Sequence, residues 1–333
     1  MRRIALALLL ATPAAAQRPP QPLFASDSVL ELRIEADLRN VFKERGEEGK
    51  PYPATITMAG VDRALPAQLQ TRGHYRLRRS TCAMPPLRVR FAKDAPELAG
   101  TPFAGQRKLK LVTHCQPGRE FEDNVVEEYL VYRSYNAITD TSFRVRLARV
   151  TYVDRGDAKA EPVTRYAFFI EDDERMAERI GGKILPDQGA APGDLHMALL
   201  EPLVMFQYMV GNTDWSIGAL HNIRLVRTGD AVLPVPYDFD WSGVVGAPYA
   251  RPNPKFGTKT IYDRVFMIGC LPLPSIVTLA GRFNARRDSI YTLFRDTTLL
   301  DRRAGENDIR YLEEFYKTLN NERVAKRVFG SGC

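Results

Sequence analysis

Residues 201–246 read EPLVMFQYMVGNTDWSIGALHNIRLVRTGDAVLPVPYDFDWSGVVG, an apolar run followed by polar turns and two short β-branched stretches. Leu203, Met205, Phe206 and Met209 recur at helical spacing, which predicts a buried helix over Glu201–Val210. Gly211 ends that pattern. His221–Val226 and Val232–Val235 read as two short strands, with Thr228-Gly229-Asp230 as the turn between them. Asp214, Asn222 and Asp238 therefore fall on loops or strand ends around one helix–hairpin unit.

That order carries a chemical meaning. Transfer of a phosphoryl group from a nucleotide needs a carboxylate to orient the acceptor hydroxyl, and an amide oxygen and a second carboxylate to hold Mg²⁺ on the phosphates. Protein kinases supply Asp, Asn and the Asp of an Asp-Phe-Gly in that order. Here Asp214, Asn222 and Asp238-Phe239 follow the same order, but Asn222 lies eight positions after Asp214 and Asp240 stands in place of the glycine. Taken singly, each of these residue types is also a common turn former.

Three pieces together, Asn212-Thr213-Asp214, His221-Asn222 and Pro236-Tyr237-Asp238-Phe239-Asp240, resemble the motifs of the spore-coat CotH kinase family, an atypical protein-kinase-like group. The resemblance covers about Leu30 to Gly281. It implies ATP and Mg²⁺ or Mn²⁺ as cofactors, Asp214 as the catalytic carboxylate, and Asn222, Asp238 and Asp240 around the metal.

The preceding half of the chain reads as strands: Val29–Ile34, Ala54–Met58, Ala67–Thr71, Leu87–Phe91 and Lys108–Val112, an antiparallel sheet of roughly five members. Thr71–Ser80 (TRGHYRLRRS) is a basic loop; the resemblance singles out Arg72-Gly73, and a guanidinium there suits phosphate oxygens. Most of these arginines also fit a solvated hairpin. Lys108 and Lys110 share one face of their strand. A helix is expected over Phe121–Tyr135, and the resemblance pairs its Glu128, with Glu127 close behind, with the strand lysines. Phe143–Val153 and Arg165–Glu171 are two further strands, and the resemblance sets Glu171 near the adenine. Glu171 equally suits the start of a helix over Asp172–Ile180, where acids are favoured.

Helices are expected over Lys259–Ile268, Leu273–Phe294 and Asp308–Phe329. A sheet-rich first half and helix-rich second half fit an α+β, bilobal protein-kinase-like fold. Its antiparallel-sheet-rich N-terminal lobe spans residues 27–171 and its mainly helical C-terminal lobe residues 172–333.

Residues 1–16, MRRIALALLLATPAAA, have the two arginines, short apolar core and small-residue exit of a cleavable signal peptide, and 17–26 form a proline-bearing linker. The chain is expected to be exported, periplasmic or extracellular, with no transmembrane segment. Its four cysteines then face an oxidising compartment. Cys82 with Cys115 is the preferred pair; Cys333, the last residue, is expected to be frayed or unpaired. A net charge of +7 on 333 residues suits phosphate-bearing ligands as well as plain solubility, and no nucleic-acid module is visible.

Three function classes follow. The first is an exported kinase acting on a hydroxyl of an exported or surface protein. The second is a catalytically silent surface or periplasmic interaction protein. The third, a metal-dependent hydrolase built on Asp214, His221 and Asp238, is disfavoured because there are only four histidines and no His-Glu-x-x-His pattern.

Overall fold

Alternation of buried and exposed residues along the first strands sets the architecture. The computed structural model describes residues 21–333 apart from 48, 187–188 and 297, so the expected signal peptide lies outside the described residues. The first strand, β1 (Leu30–Ala36), turns Leu30, Leu32, Ile34 and Ala36 inward and its intervening residues outward. A short helix α1 (Leu38–Lys43), capped by the Asp37 carboxylate on the Asn40 N–H, leads to β2 (Tyr52–Met58) and β3 (Val61–Thr71). Then come β4 (Leu87–Arg90), β5 (Lys108–Val112), the long helix α2 (Arg119–Ile138), β6 (Val145–Asp154) and β7 (Val163–Ile170).

These seven strands close into a barrel in the order β1-β2-β3-β4-β5-β7-β6. Neighbours are antiparallel except at the seam, where β1 pairs parallel with β6 from Leu30↔Ala148 to Ala36↔Asp154. The interior is filled by Ile34, Ile56, Leu65, Leu69, Leu87, Val89, Leu111, Val150 and Phe169. Closure leaves no free edge, which an open sheet would have to protect. Leu23 and Phe24, inside the expected linker, are buried in this core.

The bilobal protein-kinase-like fold expected from the sequence is overturned by this closed barrel. The expectation counted five antiparallel strands and set the next two apart. In the folded chain β6 and β7 complete the same sheet, and the parallel seam with β1 seals it.

The second half contains α3 (Asp173–Arg179), β8 (Lys183–Ile184), α4 (Met197–Val210), β9 (Ile223–Thr228) and β10 (Ala231–Pro236), the strands forming a three-stranded sheet. Four helices follow, α5 (Leu273–Asn284), α6 (Arg287–Phe294), α7 (Arg302–Leu319) and α8 (Glu322–Phe329). The expected helix over Lys259–Ile268 does not form. The long last helix is instead two, because Asn321 caps a new helix on the Val324 N–H at 3.2 Å. No described helix is long and apolar enough to cross a membrane.

Two disulfides are present, Cys82–Cys115 and Cys270–Cys333. The first is the expected pair. Cys333 is bonded rather than frayed, and it ties the chain end to the segment before α5.

Candidate active site

Helix α4 stops because Gly211 takes a left-handed conformation, φ 66°, with its N–H on the Gln207 and Tyr208 carbonyls. The chain then folds into a tight turn. The Asn212 side-chain oxygen accepts the Asp214 N–H at 2.9 Å. Ser216 and His221 exchange two backbone hydrogen bonds, closing a loop that returns Asn222 to Asp214. The Asn222 amide donates to the Asp214 carbonyl at 2.7 Å and to its carboxylate Oδ2 at 3.2 Å. The other carboxylate oxygen lies 3.0 Å from His221 Nε2, and that hydrogen bond raises the His221 pKa.

Five non-glycine residues have positive φ among the described residues: Asp94, Cys115, Leu220, Asn222 and Asp238. The last three line one cleft of about 550 Å³. Such conformations cost about 1–3 kcal/mol each and gather where function holds them.

Asp238 and Asp240 flank a buried anchor. Phe239 packs edge-on against Tyr132 and Phe206, with ring centroids 4.8 and 5.8 Å away. The Asp238 N–H donates to the Tyr132 hydroxyl at 2.8 Å. Glu128 lies one turn before Tyr132 on α2, so the same helix face brings a third carboxylate to the two aspartates. Carboxylate oxygens of Glu128, Asp238 and Asp240 lie within 4.8 Å of one another.

Arg76, from a 3-10 turn over Tyr75–Leu77, enters this bay. Its guanidinium is 3.4 Å from Asp238, 3.4 Å from Asp240 and 4.0 Å from Glu128. Burial pushes Asp240 up to about 6 against the pull of Arg76, although Tyr249 donates to it at 3.0 Å. Burial likewise raises Glu128 well above the carboxylate range. Glu128 Oε1 is buried with no hydrogen-bond partner. Three hard oxygen donors with one orphaned atom fit a divalent cation such as Mg²⁺ or Mn²⁺.

The opposite wall is cationic. Lys110, half-buried on β5, contacts Asp173, and Arg224 Nε reaches the other Asp173 oxygen at 3.0 Å. Burial lowers the Lys110 pKa; for Asp173, burial is outweighed by Lys110 and Arg224, and its pKa is held at about 2. The Lys110 ammonium lies 5.1 Å from the Tyr237 ring centre, and Arg224 donates to the Tyr237 hydroxyl at 2.8 Å. Arg72 and Arg88 line the same cleft.

The structure thus brings Arg72, Lys110, Asp214, Asn222, Asp238 and Asp240 into one cleft. Glu128 does not line the cleft but groups with Asp238 and Asp240, with Arg76 as its ion-pair partner rather than Lys110. The Asn222 amide holds Asp214. Lys108 lines an adjoining depression, 3.4 Å from Asp172. Glu171 does not line the cleft: it is buried, accepts from Arg179 at 2.9 Å, and receives the Arg144 N–H at 3.1 Å. Arg76, Asp173 and Arg224 were not singled out by the sequence. Arg76 lay inside the quoted basic loop, and Asp173 in the acidic run after β7.

No protein-family model matches the chain, and no curated protein matches it. The CotH resemblance therefore rests on the quoted motifs. Among solved structures, one similar chain belongs to the HipA–HipB toxin–antitoxin complex with operator DNA from Shewanella oneidensis MR-1. It is 10% identical, with a TM-score of 0.31, covering 67% of this chain and 58% of that one. A likeness that slight carries no argument about fold or activity.

Proposed function

We propose that this cleft is a metal-assisted phosphoryl-transfer site taking ATP as donor and a protein hydroxyl as acceptor. The observation that supports it most is the meeting of a carboxylate bay and a cationic wall across one cleft that also holds Asp214. Lys110, Arg72 and Arg224 are opposite in sign to a triphosphate. Glu128, Asp238 and Asp240 are the residues that would hold the divalent ion, which supplies charge neutralisation at the phosphates.

Asp214, fixed by Asn222, orients the acceptor hydroxyl and takes its proton as the oxygen bonds to the terminal phosphorus. The bond from that phosphorus to the bridging oxygen breaks, and the diphosphate leaves with the electron pair. The two disulfides agree with an oxidising compartment, so the acceptor is proposed to be an exported or surface protein.

A second reading, a non-catalytic interaction protein, is favoured by one feature: His221 already occupies one oxygen of Asp214. Incubation with γ-labelled ATP and Mn²⁺ decides between them. Label on the protein itself or on exported acceptors, absent in Asp214→Asn, supports transfer. No label at all supports the second reading, and label that persists in the variant removes Asp214 from the catalytic role.

A further inference from the structure

The carboxylate bay contains a cation of the chain's own. Arg76 is 7% exposed, and each of three guanidinium nitrogens faces a different carboxylate: Nη1 towards Glu128, Nη2 towards Asp238 and Nε towards Asp240. These separations, 4.0, 3.4 and 3.4 Å, exceed the roughly 2.7–2.9 Å of a direct charge-assisted hydrogen bond. One guanidinium lies within 4.0 Å of all three carboxylates, and the buried Glu128 Oε1 still lacks a hydrogen-bond partner.

The carriers of these groups differ in how they are held. Glu128 stands in the middle of the buried helix α2, and the aspartates flank the anchored Phe239. Arg76 stands on one 3-10 turn whose N–H bonds, Leu77 to His74 and Arg78 to Tyr75, are local, and whose outside ties include Arg45 donating to the Leu77 carbonyl at 3.4 Å and the Tyr75 ring against Trp241. That turn belongs to the segment between β3 and β4, tied to the connection between β5 and α2 by Cys82–Cys115.

We propose that Arg76 is a resident counter-cation that competes with a divalent metal ion for one seat, defined by Glu128, Asp238 and Asp240. The proposal rests on the metal-binding part of the phosphotransfer reading and adds an antagonism to it. With no metal, Arg76 offsets part of the bay's negative charge and helps keep the fold intact. When the ion enters, two cations cannot share the site at contact distance, and the guanidinium is displaced. Occupancy of the bay then reports on the Arg76 loop, which forms one wall of the cleft together with Arg72 and Tyr75.

The test is Mn²⁺ binding to the protein without nucleotide, followed by titration calorimetry and by the melting temperature. Arg76→Gln is expected to bind Mn²⁺ at least about tenfold more tightly than the parent, the scale of a typical coupling between two ligands. Arg76→Gln combined with Glu128→Gln is expected to lose that gain. If Arg76→Gln alone is unfolded, Mn²⁺ is expected to restore its melting transition; a chain that stays unfolded with the ion overturns the proposal. Equal or weaker Mn²⁺ affinity in Arg76→Gln overturns it as well. Because no nucleotide is present, failure here is separate from failure of the transfer reaction: tighter Mn²⁺ binding in a protein that never binds ATP would leave the exchange standing and remove the kinase reading.

Discussion

Asn222 holds Asp214 by two hydrogen bonds from one amide nitrogen, 2.7 Å to the backbone carbonyl and 3.2 Å to the carboxylate. The eight-residue separation between them is spanned by the Ser216–His221 bridge, so the loop is closed rather than slack. Asn222 accepts a left-handed backbone to do this, as asparagine does more readily than most residues.

Asn222→Ala should therefore misplace Asp214 without unfolding the chain. The turnover number is expected to fall on the order of 100-fold, the cost of a misplacement of about an ångström, with nucleotide affinity nearly unchanged. A proportional loss of nucleotide affinity, measured by calorimetry, would show that Asn222 acts on the donor instead.

Lys110 and Arg224 share Asp173, one carboxylate oxygen each. Asp173→Asn is expected to cost about 1–3 kcal/mol of stability, since hydrogen bonds to charged groups are at stake on partly buried side chains. Denaturant unfolding checks it. No loss would mean that contacts other than Asp173, among them Tyr237 and Phe143, hold the two cations.

Glu171→Gln distinguishes the structure from the sequence expectation. The carboxylate is spent on buried Arg179 and lies outside the cleft. Breaking that pair is expected to cost about 3–5 kcal/mol, and ATP affinity corrected for the folded fraction should not change. A selective drop in ATP affinity with an unchanged melting temperature would restore the adenine role.

Stability should fall as pH rises towards 8. Burial, then the charge of Asp123, raises the Asp308 pKa to about 8, and buried Glu127 is raised well above the carboxylate range by burial and by Asp308. These groups stay protonated in the folded chain and ionise freely in the unfolded one. Their contribution is complete at acid pH and is lost as pH climbs through the folded values. His114 acts in the opposite sense, since burial lowers it to about 4, but only below its ordinary value of 6.5. His221, raised by Asp214, adds to the fall above that value. Between pH 6.5 and 8, Asp308→Asn should melt about 2–4 °C higher than the parent at the alkaline end and lose less stability across the window. Identical melting curves would contradict the assignment.

The local parts of this site were legible in the sequence, and the distant ones were not. Asp214, Asn222 and Asp238 lie within one stretch whose apolar spacing and turn residues fix their places on loops and strand ends. Arg76 meets Asp238 across 162 residues, and Lys110 meets Asp173 across 63. Neither partner choice is encoded in spacing. Barrel closure was hidden for a related reason. The alternation in β1 looks the same in an open sheet and in a barrel, and only its parallel register with β6 decides between them.

The central claim is a metal-dependent nucleotide site centred on Asp238. The most direct measurement is the melting temperature with millimolar ATP and Mn²⁺, together and separately, for the parent and for Asp238→Asn. A ligand that binds only the folded state must raise the transition by mass action. The account predicts a rise with ATP and Mn²⁺ together that exceeds either alone and disappears in Asp238→Asn. No rise in the parent, or the same rise in the variant, would contradict it.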